Sequence, residues 1–119
     1  MSSYHLLTLD ELPIETLTDV SNFDIPKSFQ RDIHIILYIL KSYNVHKVIL
    51  YGSVARGDFR SDSDLDICVE GLDDNVFFIA LAECLINSKH SVSLIDFKSI
   101  HGYFRERVLK EGKVLYEQN

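Results

Sequence analysis

The stretch "DLDICVE", residues 64–70, alternates residue by residue. Leu65, Ile67 and Val69 fall on one side and Asp64, Asp66 and Cys68 on the other, the two-face pattern of a strand. Just upstream, "HKVILYG" is a β-branched and apolar run that ends at Gly52 and reads as a buried strand. Between them lies "SVARGDFRS", a turn or short helix, so the two strands are expected to be paired neighbours.

The rest of the chain supplies partners for that pair. From Pro26, "PKSFQRDIHIILYILKSY" sets Phe29, Ile33, Ile36, Leu37 and Leu40 at helical spacing, with Pro26 suited to the first turn. "DDNVFFIALAECLINSK" predicts a second long helix with Asp74 as N-cap. This helix is apolar around most of its circumference and needs cover on more than one side. Either it is buried between the sheet and the first helix, or its surplus face is an oligomer or partner surface.

"HSVSLIDF" reads as a third strand. "SIHGYFRERVLKEG" reads as a final amphipathic helix, with Ile100, Phe104 and Val108 in line and Gly112 as its stop, and "KVLYE" as a short edge strand. Residues 1–25 form an irregular lead-in with Pro13 and at most one turn of helix, which leaves 26–119 as the domain. The expected class is α/β (α+β), a small mixed β-sheet covered by helices.

Bulk properties narrow the function classes. At 119 residues, the chain has the length of one domain able to bury a core without disulfides. No apolar run approaches the roughly 18 residues that cross a bilayer, so no membrane association is expected. The N-terminus has no Lys or Arg before its leucines, unlike a secretory signal, and a cytoplasmic location is expected. Cys68 and Cys84 form no CxxC and read as buried, reduced thiols. A net charge of −6 argues against non-specific nucleic-acid binding, which draws on clustered Lys and Arg.

The central run carries the chemistry. A turn that leaves a buried strand and opens a helix exposes backbone N–H groups that suit a phosphate chain. Gly52 leaves the approach open, Ser53 adds a hydroxyl, Arg56 can reach an outer phosphate, and Gly57 lets the chain reverse. Asp64 and Asp66, two apart on a strand, leave the same face, and their repulsion is relieved by a cation. Hard oxygen ligands suit Mg²⁺, which stabilises in-line phosphoryl displacement. His101 reads as a cap-region histidine, Arg105–Glu106–Arg107 as a solvated helical face, and Tyr51 as a packed strand residue.

Gly52–Ser53, ten residues, then Asp64–Leu65–Asp66 resembles the signature of the nucleotidyltransferases of the DNA polymerase β superfamily. The fit is closest to the minimal nucleotidyltransferases, the antitoxins of HEPN-domain toxin pairs, and covers roughly residues 27–117, including the closing "YFRERVLKEGKVLYE". The resemblance implies a polymerase β-like nucleotidyltransferase fold. It also implies Mg²⁺ as cofactor, ATP as substrate and transfer of AMP to a hydroxyl, such as a tyrosine of a HEPN-domain partner, with antitoxin activity as the result. By position, Gly52 and Ser53 would hold the triphosphate, Asp64 and Asp66 would be the catalytic metal ligands, and Arg56 a phosphate contact.

One departure stands out. The family's third carboxylate sits in the later strand, where "VSLID" puts Ser93. Asp96 is three residues on and faces the other way on a regular strand. The implied alternatives are a weakened or inactive module on the same fold, which neutralises a HEPN partner by contact through the apolar helix, and a small-molecule transferase of the aminoglycoside type. Homo- or hetero-oligomers fit either antitoxin reading.

Overall fold

The computed structural model describes Leu12 and residues 17–119. Helix α1 (Lys27–Ser42) leads into strand β1 (Lys47–Tyr51), the short helix α2 (Gly52–Arg56) and strand β2 (Leu65–Glu70). Helix α3 (Asp74–Asn87), strand β3 (Val92–Asp96), a 3₁₀ turn (Phe97–Ser99), helix α4 (Gly102–Glu111) and strand β4 (Lys113–Glu117) follow. The strands form one sheet in the order β3-β2-β1-β4. β1 runs antiparallel to β2 and β4, while β2 and β3 are parallel, as their connection through a helix requires.

Alternation along the strands divides the apolar residues between two layers. Val48, Leu50, Leu65, Ile67, Val69 and Leu94 join Ile33, Ile36, Leu37 and Leu40 of α1 and Ala80 and Cys84 of α3 in the main core. Each such aliphatic side chain contributes about 1.5–3 kcal/mol when fully buried. The opposite face carries Ile49 and Cys68 under Val108 of α4, flanked by Tyr51, Ile95 and Ile100. Both cysteines are buried free thiols, and burial pushes each up to about 12. Among the described residues, no helix is long and apolar enough to cross a membrane.

Several element ends differ from the sequence reading. Pro26 precedes α1 as its N-cap, with ψ 141°, because extended backbone there lets the helix start at Lys27. Asp73, not Asp74, caps α3: its Oδ1 accepts from the Asn75 N–H at 2.8 Å. Asp74 lies in the first turn and pairs with Lys98 Nζ at 2.7 Å. α4 begins at Gly102, so Ile100 packs from the preceding turn. The described part of the lead-in has no helix or strand, and it sends Leu12, Val20 and Ile25 into the main core. The expected turn of helix before Leu17 falls outside the described residues, save Leu12.

A buried acid ties α1 to the loop before β3. Asp32 is 1% exposed, and its Oδ2 accepts from the backbone N–H groups of Lys89 (2.9 Å) and His90 (2.8 Å). The same oxygen meets His90 Nδ1 at 2.8 Å, and Oδ1 accepts from Arg31 Nη1 at 2.8 Å. His90 stacks on Phe29 with ring centroids 4.0 Å apart. Burial pushes the Asp32 carboxyl up, but the bonds from His90, Lys89 and Arg31 outweigh it, and the net shift is downward.

Because the folded value lies below the ordinary carboxylate range, Asp32 contributes stability above that range and loses it as pH falls through the folded value. Asp32→Ala is expected to lower stability by about 3 kcal/mol at neutral pH, since it leaves the part-buried N–H groups of Lys89 and His90 without their buried acceptor. The deficit should shrink toward acid pH. Urea unfolding of both proteins across pH checks this; an equal deficit at all pH values would contradict it.

Candidate functional site

The site forms where β1 ends and β2 begins. Antiparallel pairing sets Tyr51 opposite Asp66, and parallel pairing sets Ser93 opposite Asp66 on the other side. Partners across strands project to the same face, so Tyr51, Asp66 and Ser93 form a row on the α4 side of the sheet. Leu50 and Ile67, buried on the opposite face, hold this register. A slip of one residue would send Asp66 into the apolar core.

Gly52 follows Tyr51 at once, with φ 77°, in the left-handed region. A Cβ built on Gly52 would overlap Asp66 Oδ2, so the carboxylate lies directly against the backbone of the turn. Glycine is required here both for conformation and for space. Ser53 is half-buried in α2, and its carbonyl accepts from the Gly57 N–H at 2.9 Å, which closes the helix at a glycine with φ 92°.

Asp64 is exposed one residue before β2, and its charge reaches Asp66. Burial, then the like charge of Asp64, raises the Asp66 carboxyl above its ordinary value, while Arg56 opposes the shift. Arg56 is held by Glu111 Oε1 at 3.1 Å from Nη1 and by Asp58 Oδ2 at 3.3 Å from Nε. It therefore sits beside the site as a salt-bridged side chain, and a phosphate must compete with two carboxylates for it.

The position on β3 opposite Asp66 is neutral. Ser93 lies within hydrogen-bonding reach of the Tyr51 phenol, which burial and the nearby Asp66 push up to about 12. Tyr51 also meets Phe104 edge to face, with centroids 5.8 Å apart. Asp96 is opposite Val69 and away from the row. Its Oδ1 accepts from the Lys98 N–H at 3.0 Å as the cap of the 3₁₀ turn.

The structure thus brings Gly52, Asp64, Asp66 and Ser93 together, with Arg56 at the edge, and keeps Asp96 apart. Among the described residues, no group of three or more histidine, cysteine or acidic side chains gathers as a metal cage. Two carboxylates of which one raises the other's pKa are nonetheless a donor set that suits one hard divalent cation. His101 is exposed at the N-cap of α4 and makes no capping bond. Glu111 is the site neighbour that motif reading passes over, while Tyr51, read as a packed strand residue, packs on Phe104 and also borders Asp66. The alternation of β1, carried across to Asp66, is the signal that finds Tyr51.

Residues 34–119 match the family described as polymerase beta, nucleotidyltransferase. The chain belongs to that nucleotidyltransferase family. A Methanocaldococcus jannaschii relative, provisionally named protein adenylyltransferase MJ0604, is 38% identical over 79 residues, which is 60% of this chain and 79% of the relative. Among solved structures, a toxin–antitoxin complex with AMP-PNP contains a chain similar at TM-score 0.61 and 24% identity, over 70% of this chain and 71% of that one. A complex of the tri-AMPylated HEPN toxin of Shewanella oneidensis with its MNT antitoxin gives TM-score 0.59 and 21% identity, over 75% and 72% of the two chains. These structural likenesses establish the polymerase β-like nucleotidyltransferase fold, with helices on both faces of a mixed sheet.

Replacing Asp64 by Asn is expected to lower the Asp66 pKa, since it removes a like charge and leaves burial unchanged. Carboxyl NMR titration reads the shift. Gly52→Ala is expected to reduce stability by at least about 1–2 kcal/mol, from the left-handed backbone alone, and to displace the Asp66 carboxylate. Thermal melts check the first effect, and loss of Mn²⁺-induced relaxation near the site checks the second.

Proposed function

We propose that this nucleotidyltransferase moves AMP from MgATP to a hydroxyl of a partner protein in the cytoplasm, the best candidate being a tyrosine of a HEPN-domain toxin, and so acts as its antitoxin. The observation that carries this reading is the Asp66 carboxylate packed against the Gly52 turn with Asp64 beside it. Two carboxylates thus lie at the start of the turn that opens α2, where a cation bound to them would bring a triphosphate beside the backbone of that turn. The names of the M. jannaschii relative and of the two antitoxin complexes support protein as the acceptor class.

In this reading Gly52 and Ser53 bind the triphosphate, while Asp64 and Asp66 hold Mg²⁺. When bound, that cation would offset charge on the triphosphate and on the leaving pyrophosphate. The acceptor oxygen forms a bond to the α-phosphorus, the bond from that phosphorus to the α–β bridging oxygen breaks, and pyrophosphate leaves with the electron pair. The acceptor's proton passes to solvent water, because Ser93 is not basic and Tyr51 stays protonated near neutral pH. A phenolic acceptor, whose ordinary pKa is about 10, releases its proton more readily than an aliphatic alcohol.

A second reading rests on that same neutral position. With Ser93 opposite Asp66, the fold holds nucleotide but transfers slowly, and the partner is neutralised by contact. Incubation with α-labelled ATP, Mg²⁺ and a HEPN-domain toxin from the same genome separates the two. Label on the partner that disappears with Asp64→Ala/Asp66→Ala is the expected result; a tight complex without label sinks the transfer reading. Ser93→Asp is expected to raise the transfer rate about tenfold or more, by adding a proton acceptor beside Asp66. An unchanged or lower rate would show that this position is not the third carboxylate's.

A further inference from the structure

We propose that Asp32 is a positioning residue for the cation site, on the reading that Asp64 and Asp66 hold the cation. With Phe29 and His90 it fixes the two loops that deliver those carboxylates. Asp64 is exposed and precedes β2, so the strand ladder does not include it. What places its carboxylate is the backbone on either side. Two carboxylates share one cation only while both stay within ligand distance of it, so small shifts of Asp64 are costly.

On the C-terminal side, the peptide that joins Asp64 to Leu65 donates its N–H to the Ser91 carbonyl at 2.8 Å. Ser91 ends the loop between α3 and β3, and α1 binds that loop at successive points. Arg31 Nη1 donates to both Asp32 Oδ1 (2.8 Å) and the Asn87 carbonyl (3.2 Å), and Asp32 Oδ2 accepts from the N–H groups of Lys89 and His90. Bonds to backbone set the path of the chain into β3. The Ser91 carbonyl passes that path on to Asp64.

On the N-terminal side, Arg60 and Ser63 close a turn that leads into Asp64. The Arg60 N–H donates to Ser63 Oγ at 2.7 Å, and the Ser63 N–H to the Arg60 carbonyl at 3.0 Å. Phe59, just before this turn, meets Phe29 edge to face with centroids 5.6 Å apart. Phe29 is fully buried and stacks on His90, whose Nδ1 meets Asp32 Oδ2 at 2.8 Å. Both loops therefore converge on one turn of α1, from Phe29 to Asp32. An apolar side chain of similar size would fill the place of Asp32 at less cost. It could not bind the two N–H groups of the loop that ends at Ser91.

The Mn²⁺ affinity of the full chain, read from water-proton relaxation, tests this. Asp32→Asn and Phe59→Ala are each expected to weaken binding about tenfold, although neither residue is in the site. Phe59 is 36% exposed, so Phe59→Ala leaves the fold intact and carries the test if Asp32→Asn is too unstable to measure. Phe59→Tyr keeps the ring and should bind as the wild type does. Leu40→Ala, which opens a cavity farther along α1, should lower the melting temperature and leave the affinity unchanged. Wild-type affinity in Phe59→Ala or in folded Asp32→Asn overturns the proposal. So does an equal loss in Leu40→Ala, which would mean that any loosening of the core disturbs the site. Asp64→Ala/Asp66→Ala keeps the parent reading separate: if that variant binds Mn²⁺ like the wild type, those residues are not the ligands, and the proposal falls with them.

Discussion

The pairing of Tyr51 with Asp66 is the constraint on which the rest of the site depends. It joins the end of β1 to the start of β2, so the turn beginning at Gly52 and the carboxylate of Asp66 meet without any long-range adjustment. The register is held from the other side of the sheet, where Leu50 and Ile67 are fully buried. A slip would expose those side chains and bury a charge, at a cost of several kcal/mol, so the hydrophobic core itself positions the polar site.

Electrostatics in this corner is left unbalanced. Asp66 is partly buried beside Asp64, and the nearest cationic side chain, Arg56, is already engaged by Asp58 and Glu111. A fold optimised only for stability would not keep two carboxylates in such proximity, and local conflicts of this kind gather where function needs them. Asp32 shows the contrast. It is more deeply buried, yet donors surround it, and its pKa falls instead of rising. Donors within the chain govern one acid, while burial and a like charge govern the other.

The same difference governs what was legible in the sequence. Period-two alternation in "DLDICVE" identified β2 and its two faces, because a strand's side-chain directions follow from spacing alone. Asp96 was correctly set apart by the same rule. Asp32 was not legible: a single acid within "SFQRDIHIIL" looks like a solvated position until the loop from Lys89 to His90 folds over it. Asp73 and Asp74 offer identical cap chemistry in the sequence, and the extended backbone at Asp73 is what makes it the cap. The outer face of α3 was ambiguous for a related reason, since a helix apolar on nearly all sides has no moment to orient it.

Placement of the elements on the sheet now constrains how any acceptor reaches the site. The row of Tyr51, Asp66 and Ser93 opens toward α4, while the other face of the sheet is filled by α1 and α3. On the proposed reading, a hydroxyl bound for a phosphate at Gly52 approaches from the α4 side, past Phe104 and the Arg56–Glu111 pair. Under the proposed transfer, an acceptor on this path meets α4, where Tyr103 and Leu109 stand exposed.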